Sequence, residues 1–93
     1  MTVQDYEKRK PHFETVKANI LLLLSRFNDG LPFKQIMPSY LDRYGYAPRI
    51  DNRLRELRKD GLVTSELNKV GILMWKLTEK GRRRVSELVR EGV

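Results

Sequence analysis

The sequence predicts a mainly α-helical domain carrying one small β-hairpin, an α+β fold, and three observations predict it. Apolar residues recur at spacings of three and four through residues 11–27 and again through 48–60, the period of a helix with one buried stripe. After Gly61 the period falls to two on both sides of the segment Asn68 to Gly71, as in two strands joined by a turn. After Thr78 the helical period returns for the last turns of the chain.

Each element has its own signals. Residues 1–10 form a polar, basic arm, with Lys8, Arg9 and Lys10 together ahead of Pro11, a residue suited to a first helical turn. The first helix, 11–27, buries Phe13, Val16, Ile20, Leu23, Leu24 and Phe27, and Asn28, Asp29 and Gly30 end it, Gly30 as a left-handed cap. Leu31, Pro32 and Phe33 are a short extended stretch. A second helix, 33–44, follows, with Ile36, Tyr40, Leu41 and Tyr44 on its apolar side. Pro38 falls inside that pattern, where it removes a backbone donor and clashes with the preceding turn, so a kink or two short helical pieces are expected. Gly45 stops the helix, and Tyr46 and Ala47 make the turn into a third.

The third helix, 48–60, opens at Pro48, closes at Asp60-Gly61 and buries Ile50, Leu54 and Leu57. The rest of it is polar, with five basic residues against three acidic ones. The hairpin, 62–77, carries Val63, Ser65 and Leu67 on one strand and Leu73, Trp75 and Leu77 on the other, with Lys69 in its turn. Thr78 is a good N-cap and Glu79 suits a first turn. The last helix, 79–91, is expected to bury Val85, Leu88 and Val89 and to expose Arg82, Arg83 and Arg84. Residues 11–93 thus make a single domain, since 93 residues cannot bury two cores.

Composition narrows the function classes. The net charge is +7, which biases partners toward polyanions without choosing among DNA, RNA and an anionic surface. There is no cysteine, so disulfides, thiolate nucleophiles and cysteine-ligated zinc are excluded. The first residues, MTVQDYEKRK, do not read as a secretory signal, and the aliphatic run Ile20 to Leu24 is far shorter than the roughly 20 residues of a membrane span. A cytoplasmic protein without membrane attachment is the expectation. His12 has no Ser, Cys or carboxylate pair arranged around it, and no phosphate loop, metal-ligand cluster or nucleophile motif is present. No enzyme activity, catalytic residue, cofactor or metal is expected.

The element order places a polar helix after a tight turn, supported by an apolar first helix and followed by a hairpin, which is the plan of a helix-turn-helix with a wing. The stretch IDNRLRELRKDGLV, then a hairpin, then WKLTEKG resembles the winged helix-turn-helix superfamily, as in MarR-like, ArsR-like and PadR-like regulators. The matching residues are Leu54, Leu57, Gly61, Leu62 and Val63, then Trp75, Leu77, Thr78 and Gly81. The resemblance runs from Phe13 to the last helix. Metal-sensing ArsR-like members need Cys or His clusters, and this chain has only His12, so a metal-sensing role finds no support.

The resemblance implies sequence-specific binding of double-stranded DNA by a homodimeric prokaryotic, archaeal or viral transcriptional regulator. It supplies no evident small-molecule effector. On a helical wheel the outward face of the third helix holds Pro48, Asn52, Arg55, Glu56 and Lys59, with Arg49 and Arg53 on one flank and Asp51 and Arg58 on the other. Arg suits guanine and Asn suits adenine, which makes Arg49, Asn52, Arg53 and Arg55 candidate base readers, with Lys59 beside them. Lys69 is the candidate wing contact. The blander reading of the same residues is a solvated face with internal ion pairs, such as Asp51 with Arg55. Three rival functions remain open: a winged helix used for protein association, the DNA-binding part of a replication or mobile-element machine, and RNA binding.

Overall fold

A computed structural model describes residues 12–46 and 48–91, with side chains from residue 15 onward. The elements in order are α1 (His12–Leu24), β1 (Leu31–Pro32), α2 (Phe33–Tyr44), α3 (Ile50–Lys59), β2 (Val63–Leu67), β3 (Leu73–Leu77) and α4 (Glu79–Arg90). The strands form one antiparallel sheet in the order β1-β3-β2. Pro32, which has no N–H for a ladder, sits in β1 at the sheet edge, where it is tolerated.

Helix α1 lies at the centre and packs on α2, α3, α4 and β3. That explains why Leu21 is buried along with Val16, Ile20, Leu23 and Leu24. A helix with neighbours on several sides buries more than one stripe. Tyr40, Ile36, Ile50, Leu54, Leu57 and Val63 close the core around it. In the hairpin, the cross-strand pairs Val63↔Leu77, Ser65↔Trp75 and Leu67↔Leu73 share a face. Its first two pairs cover the core.

The structure differs from the sequence expectations at several places. The first helix ends at Leu24 rather than Phe27. Ser25 Oγ donates to the Leu22 carbonyl, and Arg26 N and Phe27 N bond to carbonyls three residues back, so the last turn tightens and unwinds and Phe27 is exposed. Gly30 (φ 85°) therefore caps no helix; its backbone abuts β3, and a Cβ there would meet the Trp75 carbonyl oxygen at 2.5 Å.

Pro38 breaks nothing: α2 is one continuous helix. The proline and Lys34, whose carbonyl loses its partner, are both on the solvent side. Ile36 and Tyr40 are fully buried on the opposite side, and that burial offsets a proline cost of about 3 kcal/mol. Leu41, expected on the apolar side, is exposed beside them. Pro48 precedes the third helix instead of opening it, because Arg49 is still extended (φ −76°, ψ 99°) and acts as N-cap. Finally, Val89 is 62% exposed, since Leu88 alone turns the end of α4 into the core.

Lys8, Arg9, Lys10, Pro11 and Ala47 lie outside the described residues, as do the side chains of His12 and Phe13. Among the described residues, no helix is long and apolar enough to cross a membrane.

Candidate nucleic-acid interface

Helix α3 is held at its C-terminus and on both flanks. At its C-terminus Gly61 takes the left-handed conformation (φ 78°), Leu62 N bonds to Leu57 O and Gly61 N to Arg58 O, the paired closure of a Schellman motif. The next element is tied to the same place. Thr78 Oγ1 donates to Gly61 O (2.6 Å) and accepts from Gly81 N (3.0 Å), while Lys80 Nζ donates to Asp60 O (2.9 Å). One threonine thereby caps α4 and clamps the end of α3.

Tyrosines tie the end of α2 to α1. Gly45 (φ 77°) stops α2, its N–H bonding to Leu41 O. Tyr40, fully buried, donates to Tyr46 Oη (2.8 Å), and Asn19 of α1 donates to Tyr40 Oη (3.0 Å). Tyr44 Oη donates to the Asn19 carbonyl (3.2 Å). Burial, and then the hydrogen bond to Tyr46, push the Tyr40 phenol well above the ordinary tyrosine range. It is a neutral donor at any physiological pH.

On its flanks α3 meets α1 and the wing. Arg53 is 9% exposed and pairs with Glu56 at 2.8 Å. Glu56 also accepts from Lys17 of α1 at 3.0 Å. This corrects the expected places of Arg53 and Glu56: Glu56, expected to face outward, pairs with Lys17 of α1, and it holds the buried Arg53 guanidinium on that same flank. The pairing of Asp51 with Arg55 does not form. On the opposite flank Arg58 lies over the Trp75 ring, 5.2 Å from its centroid, and donates to Ser65 Oγ at 3.3 Å.

Between these flanks Arg55 and Lys59 are exposed, Asn52 is half-buried, and Arg49 is exposed at the N-cap. Among the described residues none of the four forms an ion pair or side-chain hydrogen bond. The structure thus brings Asn52, Arg55 and Lys59 onto one face with Arg49 at its leading end, and withdraws Arg53. Sequence reasoning leaves Arg58 on a flank and goes no further. A wheel assigns a flank, but only the hairpin register shows that Ser65 and Trp75 sit opposite each other to receive it.

Lys69 stands apart at the wing tip. Asn68 Oδ1 accepts from Val70 N (3.0 Å) and Ile72 N (2.9 Å), and Gly71 (φ 83°) completes the turn. Lys69 is exposed among apolar neighbours: Val70 is 77% and Leu67 68% exposed, with Ile72 and Leu73 also open to solvent. On the outer face Lys76 pairs with Glu66.

Three helices around a three-stranded sheet, with a hairpin projecting beside the third helix and a fourth helix closing the core, define the winged helix-turn-helix fold, and this chain has it. Its structure is similar to F93 from STIV, described as a winged-helix DNA-binding protein (24% identity, TM-score 0.68, 78% of this chain and 82% of that one). It is also similar to a MarR-family transcriptional regulator from Silicibacter pomeroyi (26% identity, TM-score 0.67, 88% of this chain and 56% of that one). A third similar structure is CouR from Rhodococcus jostii RHA1 bound to p-coumaroyl-CoA (23% identity, TM-score 0.63, 77% of this chain and 50% of that one). The chain spans about half the length of the latter two. No protein-family model and no curated protein matches the sequence.

Proposed function

We propose that this protein binds double-stranded DNA in a sequence-specific manner and regulates transcription by occupying a promoter as a homodimer. The observation that carries the reading is the face of α3. Asn52, Arg55 and Lys59, led by Arg49, stand without internal partners among the described residues, on a helix anchored at its C-terminus and on both flanks. Rigid elements presenting hydrogen-bonding and cationic groups are what reading of base edges in a major groove requires. The net charge of +7 supplies the attraction to phosphates. The regulators and the DNA-binding protein that share the fold support the same reading.

Arg49, Asn52 and Arg55 are the proposed base readers, Lys59 a groove or phosphate contact and Lys69 the wing contact. Two copies are proposed because one recognition helix spans only a few base pairs. Selection from random duplex DNA tests the whole reading. Enrichment of a single motif, two-fold symmetric in form, is the expected result. Binding without enrichment points to an architectural role, and no binding at low salt removes the reading.

A second reading, association with another protein, is favoured by one observation: the exposed cluster Leu67, Val70, Ile72 and Leu73 at the wing tip. It becomes the preferred one if duplex DNA is not bound.

A further inference from the structure

Resting on the DNA-binding reading, we infer that Arg58 is a pre-positioned clamp for a DNA phosphodiester, set in the corner between the recognition helix and the wing. A long cationic side chain on a helix surface ordinarily samples many rotamers, and ordering it on binding costs side-chain entropy. Arg58 is already held. Its guanidinium lies over the Trp75 ring of β3 at 5.2 Å and donates to Ser65 Oγ of β2 at 3.3 Å, so both strands of the wing fix a side chain that α3 supplies.

Its charge is left uncompensated. Four other cations are paired with carboxylates, Arg53 and Lys17 with Glu56, Lys76 with Glu66 and Arg84 with Glu87, whereas among the described residues Arg58 shares the unpaired state of Arg49, Arg55 and Lys59. Among the described residues no carboxylate pairs with Arg58, although Asp51 shares its flank of the helix. A guanidinium has five N–H donors, and Ser65 occupies one. The remaining donors, on an exposed residue, suit the paired oxygens of a phosphate.

The position fits a backbone contact. A protein that lays a helix in the major groove and a hairpin beside it must meet a phosphate strand between the two elements. Arg58 is at that junction, whereas Asn52, Arg55 and Lys59 face outward along the helix. The favourable effect of a cation in the last turn of α3 also accounts for an arginine there, but it needs neither the ring nor the serine.

The protein carries its own reporter, because Trp75 is the single tryptophan. Binding of a random-sequence duplex should be followed by retention and by Trp75 emission over a range of salt, for the wild type, Arg58→Ala, Arg58→Lys and Ser65→Ala. Wild-type emission should change on saturation. Arg58→Ala should lower affinity at least about tenfold at low salt and flatten the salt slope of log K by about 0.9. Arg58→Lys should restore the slope but only part of the affinity, and Ser65→Ala should fall between wild type and Arg58→Ala. Folded Arg58→Ala with wild-type affinity and slope overturns the assignment. So does wild-type protein that binds duplex with unchanged Trp75 emission, which decides the matter if Arg58→Ala does not fold. A wild type that binds no duplex at low salt overturns the DNA-binding reading itself, and the clamp with it.

Discussion

Asn52 and Lys69 separate two jobs that a single binding constant would merge. Asn52 has no charge with which to attract phosphates on every sequence, so Asn52→Ala should weaken a selected site by about 1–3 kcal/mol and leave random duplex nearly unaffected. Lys69 is one exposed cation at the wing tip. Lys69→Ala should weaken both duplexes alike and reduce the salt slope by about 0.9. Isotherms at several salt concentrations read both; an unchanged ratio of selected to random affinity in Asn52→Ala means that α3 does not read bases through that face. Periodicity places Arg55 and Lys59 outward, where the structure exposes them, because outward positions follow from the buried ones, but it also places Glu56 there, which pairs with Lys17 of α1. It misplaced Arg53, since the wheel gives a flank but not the neighbour, and α1 with Glu56 draws that guanidinium inward. Tyr40 carries a separate prediction. The folded chain holds its phenol protonated through pH values at which the unfolded chain releases the proton. Its contribution is therefore complete below about pH 10 and declines as pH rises beyond it, by up to about 1.4 kcal/mol per unit. Denaturation of wild type and Tyr40→Phe across pH 9–11.5 should show the steeper alkaline loss in the wild type.

At the scale of elements, the junction of α3, β2 and α4 is the most constrained part of the chain. Gly81 lies in the first turn of α4, where a Cβ would collide with the Leu62 carbonyl oxygen. Gly81→Ala must push α4 away from the strand entry, and a loss of about 1–3 kcal/mol is expected in chemical denaturation. The same displacement disturbs the Thr78 clamp on Gly61, so DNA affinity should fall with stability. Core truncations set the upper end of the scale. Leu54→Ala and Trp75→Ala should each cost roughly 2–5 kcal/mol. A nearly silent change at either would contradict the burial of α3 against α1 and the wing. The element boundaries show why local signals were sufficient here and insufficient elsewhere. Gly61, Thr78 and Gly45 act through their own backbone or side-chain chemistry, which is local. Pro38 does not divide α2 into two pieces, because its cost is local, while the burial of Ile36 and Tyr40 that outweighs it is not.

For the molecule as a whole, the exposed apolar residues set the expectation about assembly. Val89 is 62% exposed on α4, with Val85 partly buried one turn before it. If the dimer forms through the last helix, Val89→Asp should convert it to a monomer in sedimentation at tens of micromolar, with little effect on the monomer's core, since surface changes typically stay within about 0.5 kcal/mol. A wild type that is monomeric both free and on DNA would contradict the dimer. What the sequence determined by itself were the class of fold, the order of its elements and the polar face of the third helix, because helix and strand periods, caps and left-handed glycines are written within a few residues of where they act. Only the tertiary structure decided which flank of that helix meets α1 and which meets the wing, where Arg53 and Arg58 point, and that Phe27, Leu41 and Val89 lie outside the core of the single chain. Those outcomes depend on groups distant in sequence approaching within a few ångströms, and a one-dimensional pattern contains no such distances.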